Sequence, residues 1–124
     1  MTDICQKITD SELAVMNVLW DAGAPLTITE IRARLADVSG WESSTIKTLV
    51  QRLCAKGAVA AEKRGVYHYT PCLTREQFGG YATRSLIDKL YHGRARDLVA
   101  ALVDTQLDAQ DIAELRALLE QDHV

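Results

Sequence analysis

WESSTIKTLVQRLCAKG, residues 41 to 57, is the stretch on which the fold turns. Ile46, Leu49, Val50 and Leu53 stand at i, i+3, i+4 and i+7, one apolar stripe along a helix. At about 100° per residue, Ser44, Thr48 and Gln51 point away from that stripe, with Lys47 and Arg52 on its flanks. Short polar side chains let a helix backbone approach base edges in a DNA major groove, while flanking cations reach the phosphates on either wall. An ordinary amphipathic surface helix has the same stripe, so this segment alone leaves both readings open.

The residues before it set a context. Thr9 and Glu12 form a capping box, and Leu13, Met16, Leu19 and Trp20 supply the apolar face of a first helix that stops at Gly23-Ala24-Pro25. A short extended piece, Leu26 to Ile28, follows. Thr27 and Glu30 make a second box opening a brief helix, with Ile31 and Leu35 inward, that ends near Ala36. A polar turn, Asp37 to Gly40, leads to Trp41. Three helices in about 45 residues, the third after a short turn, match a helix-turn-helix.

The residues after it add a wing. Lys56-Gly57 ends the helix with a cation in the last turn and Gly beyond. Val59 to Lys63 and Val66 to Thr70 read as strands joined by a tight turn at Arg64-Gly65. Lys63 and Arg64 then form a basic tip beside the groove-reading helix, as in a winged helix.

Pro71 ends the hairpin, and the pattern becomes wholly helical. Thr74 and Gln77 cap a long helix towards Leu90, with Phe78, Tyr81, Ala82 and Leu86 on one side. Gly79 and Gly80 cost roughly 1 kcal/mol each relative to Ala, so this helix depends on packing. His92-Gly93 breaks it. Asp97 to Asp104 and a helix capped by Asp108 supply Leu98, Val99, Leu102 and Val103, then Ile112, Leu115, Leu118 and Leu119. Helices this apolar, with no strands to cover them, call for a partner surface, and a homodimer burying about 2,000 Å² or more is the economical answer. The expected architecture is mainly α with a small β-hairpin. Residues 1–72 form a winged-helix DNA-binding domain and 73–124 a helical dimerisation domain.

Length and composition fit that scheme. The 124 residues are 48% hydrophobic and 25% charged, with a net charge of −3. The overall charge argues weakly against nucleic acid, but its distribution argues for it. From Ser43 to Tyr69, Lys47, Arg52, Lys56, Lys63 and Arg64 face only Glu62, for a net of +4. From Asp97 to Val124, seven acids face only Arg116, for a net of −6. No secretory leader and no membrane-length apolar run is visible, so a cytoplasmic protein with no membrane partner is expected. Cys5, Cys54 and Cys72 are scattered, with neither CxxC pairs nor zinc-ligand spacing, so no metal site, disulfide frame or cofactor is expected. His68, His92 and His123 are isolated, and no nucleophile elbow, phosphate loop or catalytic triad appears, so an enzyme is not expected.

Several blocks together resemble the penicillinase-repressor family of bacterial transcriptional regulators. They are Ile8-Thr9-Asp10-Ser11-Glu12 with Val15-Met16 and Val18-Leu19-Trp20, then Leu26-Thr27 and Glu30-Ile31. The most specific block is Gly40-Trp41 with Thr45-Ile46-Lys47-Thr48-Leu49, Arg52-Leu53 and Lys56-Gly57. Tyr67, Tyr69 and Pro71 of the wing also match, as do Leu98 to Leu102 and Ile112 with Glu114-Leu115. The resemblance, over roughly residues 8 to 120, implies a homodimeric repressor reading a palindromic operator, with half-sites about one DNA turn (roughly 34 Å) or a multiple apart. It also implies a signalling protease as partner, since antibiotic-responsive members are released by cleavage at an Asn-Phe bond. Here Ala101-Leu102 stand at those positions. The cysteine-rich tail of copper-responsive members is absent from Glu120 to Val124, which argues against copper sensing by that route.

Ser44, Thr45, Lys47, Thr48 and Gln51 are therefore expected to meet the groove, with Lys47 and Gln51 as base readers. Ser43, as N-cap, Arg52, Lys56, Lys63 and Arg64 are expected to hold phosphates. Phe78, Tyr81, Leu86, Leu98, Leu102, Ile112, Leu115 and Leu119 are the expected dimer interface. The alternative is a winged-helix protein-interaction module without sequence-specific DNA binding.

Overall fold

The computed structural model describes residues 2–122, so His123 lies outside the described residues. Seven helices and one hairpin follow in the order α1 (Thr2–Lys7), α2 (Asp10–Ala22), α3 (Ile28–Leu35), α4 (Ser43–Lys56), β1 (Val59–Arg64), β2 (Val66–Pro71), α5 (Arg75–Tyr91), α6 (Ala95–Thr105) and α7 (Ala109–Asp122). The chain divides into two compact units, 1–82 and 83–124.

In the first unit three of the expected helix starts are present as hydrogen-bonded caps. The Thr9 hydroxyl accepts from the Glu12 amide at 3.2 Å, and the Glu12 carboxylate accepts from the Thr9 amide at 3.1 Å. Thr27 and Glu30 repeat the box at 3.2 and 2.9 Å, and Thr74 and Gln77 at 3.0 and 2.8 Å. Each box satisfies two amides that the first turn leaves without carbonyl partners.

α2, α3 and α4 bury Val15, Met16, Val18, Leu19, Ile31, Leu35, Ile46, Leu49, Val50 and Leu53 in one core, closed by Leu26, Ala58, Val59, Tyr69 and Leu73. The inward face of α2 is turned slightly from the sequence reading: Val15 and Val18 are buried, while Leu13 and Trp20 are half-buried at its edge. α1 was not expected; it inserts Cys5 into the core and packs Ile4 against it.

At the end of α4, Gly57 adopts φ 84°, and the amides of Gly57 and Ala58 close back on the carbonyls of Cys54 and Leu53 at 3.1 and 2.9 Å. This left-handed cap turns the chain directly into β1. β1 and β2 pair antiparallel from Val59↔Pro71 to Arg64↔Val66, leaving only Gly65, at φ 77°, as the tip. Most of the expected extended piece at Leu26–Ile28 is helix start. Leu26 alone joins the sheet, exchanging 2.8 and 3.1 Å backbone bonds with Tyr69.

The first turns of α5 belong to this unit, so the compact division falls at Ala82 instead of at the change of pattern near Pro71. The Trp20 indole donates to the Leu73 carbonyl at 2.9 Å, and the Phe78 ring lies 6.0 Å from the Trp20 ring. Arg75 lies 5.4 Å from the Trp20 ring and pairs with Asp21 at 2.6 Å. Phe78 and Tyr81, both expected at a dimer interface, are half-buried and pack against the winged-helix core. Aromatic rings bury the most area of any side chain, and Trp20 at the edge of α2 offers Phe78 a ring to pack against.

The second unit comprises the end of α5, then α6 and α7. Asp108 and Asp111 cap α7 reciprocally at 2.8 and 3.3 Å. Among the described side chains of this unit only Ile87 is buried. Leu86, Leu90, Val99, Leu102, Val103, Leu118 and Leu119 are exposed on the protomer.

Candidate nucleic-acid interface

The polar face of α4 is built as its spacing dictates. Ile46, Leu49, Val50 and Leu53 are buried, and Ser43, Ser44, Thr45, Lys47, Thr48, Gln51 and Arg52 are all exposed on the rest of the helix. The Thr48 hydroxyl donates to the Ser44 carbonyl at 3.0 Å, so it presents its methyl group and an acceptor outward instead of a free donor. Among the described residues, none bonds the side chains of Lys47, Gln51 or Arg52, which leaves them open to a ligand.

The helix start differs from expectation. Glu42, not Ser43, is the N-cap, and its side chain makes no cap bond. Its carboxylate turns instead to Arg32 at 3.3 Å, while Arg32 Nε donates to the Trp41 carbonyl at 3.4 Å. The first-turn amides of α4 are thus left without a side-chain cap, and Ser43 and Ser44 sit beside them. A helix start in that condition accepts an anionic oxygen readily.

Lys56 is paired within the protomer. Its ammonium donates to the Lys7 carbonyl at 2.7 Å and to the Glu12 carboxylate at 2.5 Å, with Glu12 only 1% exposed. A carboxylate buried that deeply needs a paired charge, and Lys56, expected to hold phosphate, supplies it.

In the wing, Lys63 lies 6.0 Å from the Tyr67 ring, and the Tyr67 and Tyr69 rings lie 6.4 Å apart. The Arg64 guanidinium bonds the Glu62 carboxylate at 3.0 Å, holding that carboxyl below its usual range and the guanidinium above its own. Arg64 is thus paired within the wing, while among the described residues Lys63 has no carboxylate partner.

A cleft of about 410 Å³ brings these elements together. It is lined by Thr27, Ile28 and Thr29 at the start of α3, Ser43, Ser44 and Lys47 at the start of α4, and Val66, Tyr67 and Tyr69 of the wing. Thr29 and Tyr67 were not among the expected site residues. Nothing local marked Thr29, which enters only because the start of α3 folds against the start of α4. Tyr67 was visible as part of the wing pattern, but only the fold places it opposite Lys47. At the rim, the Thr27 amide and hydroxyl hold the Glu30 carboxyl below its usual range.

The described residues contain no cluster of three or more metal-ligating side chains, and no helix of theirs is long and apolar enough to cross a membrane.

Comparison with known proteins gives a consistent result. The penicillinase repressor family model matches residues 8–121. The chain is 32% identical over 117 residues to a penicillinase repressor from Bacillus licheniformis, covering 93% of this chain and 91% of that one. It is 29% identical over 120 residues to the methicillin resistance regulatory protein MecI of Staphylococcus aureus strain N315, covering 93% and 94%. Among solved structures, the solution structure of the DNA-binding domain of the repressor BlaI matches at a TM-score of 0.51 and 37% identity. That match covers 56% of this chain and 84% of the other. The fold is a winged helix with a helical C-terminal unit, and the chain belongs to the penicillinase repressor family.

Proposed function

We propose that this protein is a transcriptional repressor that binds operator DNA as a homodimer, each protomer reading one half of a palindromic site with α4 and the wing. The observation that carries the reading is the convergence of the uncapped, serine-flanked start of α4, Lys47 and the Tyr67 wing on one cleft beside an outward face of small polar groups. Ser44, Thr45, Lys47, Thr48 and Gln51 meet the groove. Ser43, Arg52, Lys63 and, more weakly, Arg64 hold phosphates, and Tyr67 joins them at the wing. The relatives named as repressors support occupancy of promoter DNA as the mode of action.

In the dimer, the exposed leucines and valines of the second unit form the contact between protomers, with Leu86, Leu98, Leu102, Ile112, Leu115 and Leu119 at its centre. Release by a signalling protease would require α6 to unwind locally, since Ala101 and Leu102 lie inside it.

The test is a salt titration of binding to the chain's own promoter DNA against scrambled duplex. Lys47→Ala is expected to cost about 1–3 kcal/mol on operator and to change base preference. Lys63→Ala should weaken operator and scrambled DNA alike and reduce the salt dependence by about one ion. Equal affinity of the wild-type chain for both duplexes would instead identify a protein-interaction module.

A further inference from the structure

The three cysteines are distant in sequence, but backbone hydrogen bonds tie the segments that carry two of them. Cys54 lies in the last turn of α4, seven residues and so two turns beyond Lys47, on the same side of the helix as Lys47. Lys47 shares the cleft there with Tyr67 and Tyr69 of β2. β2 continues past Tyr69 to Pro71 and then Cys72, whose amide donates to the Ala58 carbonyl at 2.8 Å. Ala58 is the residue whose own amide closes the end of α4 on Leu53, so the exit of β2 is tied to the turn that follows Cys54. Burial, and after it the charge of Cys72, pushes the Cys54 thiol up. Cys72 is exposed, Cys54 half-buried, and Cys5 buried in the core.

We propose that Cys54 and Cys72 form an oxidisable dithiol, closed by hydrogen peroxide into a disulfide between α4 and the wing that weakens DNA binding. The DNA clause rests on the repressor reading above; the covalent clause does not.

The exposed Cys72 thiolate attacks one peroxide oxygen. The O–O bond breaks, hydroxide leaves and is protonated to water, and Cys72 becomes a sulfenic acid. The Cys54 sulfur, losing its proton to solvent, then attacks the Cys72 sulfur. The S–O bond breaks and a second hydroxide leaves, to become water. Two thiols and one peroxide give one disulfide and two waters, the sulfurs losing the two electrons that the peroxide oxygens gain. Closure holds the two Cα atoms within roughly 4.4–6.8 Å of each other. It therefore clamps the last turn of the groove-facing helix to the root of the wing, and the two elements lose the independent adjustment that docking on DNA uses.

The experiment treats the reduced full chain with hydrogen peroxide, quenches it, denatures it, alkylates free thiols and measures intact mass. The expected product is monomeric, two hydrogen masses lighter, with Cys5 alone alkylated and a peptide cross-link joining Cys54 to Cys72. Cys72→Ser and Cys54→Ala should each abolish closure. Operator affinity of the oxidised chain should fall about tenfold, comparable to losing one good base contact, and return with dithiothreitol. Three alkylated thiols, a disulfide joining two chains through Cys72, or a closed disulfide with unchanged operator affinity would overturn the proposal. If the reduced chain shows no preference for operator, the repressor reading and the DNA clause fall together, while the thiol count still decides the disulfide.

Discussion

Replacing Lys56 by Met is expected to lower unfolding stability by about 3–5 kcal/mol, a large part of the 5–15 typical of a small domain. The reason is the neighbour left behind. Glu12 is 1% exposed, and its carboxylate serves both the Thr9 capping box and the Lys56 ammonium. Without the ammonium, the carboxylate must remain charged in a site shielded from water or take up a proton, and either route costs free energy. The replacement also removes the tie from Lys56 to the Lys7 carbonyl, which anchors the end of α1. Urea denaturation followed by circular dichroism measures the loss. At a slope of about 1–3 kcal/mol per molar, the midpoint should move by a molar unit or more. The double replacement Glu12→Gln with Lys56→Met should recover much of the stability, because no unpaired charge then stays buried. Below the unfolding range, Lys56→Met should leave the salt slope of DNA binding unchanged. A reduced slope with full stability would return Lys56 to the phosphate-binding set.

Leu102→Glu is expected to separate the proposed dimer into monomers and to reduce affinity for the full operator by about 10²–10⁴-fold, the range over which linking two sites multiplies affinity. Val99, Leu102 and Val103 are 42%, 37% and 39% exposed on one side of α6, so the protomer itself does not need Leu102 buried and the variant should fold. In a dimer the glutamate would be desolvated against leucines, which an interface of this kind does not tolerate. Light scattering gives the mass, and titration with a single half-site gives the control: half-site affinity should match wild type. A Leu102→Glu chain that remains dimeric and binds the full operator normally would exclude this face as the contact between protomers.

Much of this was legible locally. The three capping boxes, the apolar stripe of α4, the glycine caps and the hairpin turn are each written in residues within a few positions of one another, and each formed where its chemistry requires. Long-range pairings were not legible. Thr9 and Glu12 announce a cap, but nothing near them says that Glu12 is buried or that a lysine 44 residues away completes it. Phe78 and Tyr81 announce an apolar face, yet the same spacing serves a dimer or a fold-back, and the edge of Trp20 claimed them. Ser43 lost the cap position to Glu42 through the exposed pairing of Glu42 with Arg32, a contact across two helices.

Periodicity and capping chemistry are properties of neighbouring residues, so the sequence by itself determined the winged-helix order of elements, the outward face of α4 and the basic wing. Which cation faces solvent and which one neutralises a buried acid depends on packing between elements far apart in the chain. The same is true of which aromatic rings pack against the winged-helix core. Burial changes the cost of a charge and the neighbours of a thiol, and burial is decided only when helices and hairpin close on one another. Tertiary structure therefore turned Lys56 inward, placed Tyr67 across the cleft from Lys47, and tied the exit of β2 to the residue that follows the cap of α4.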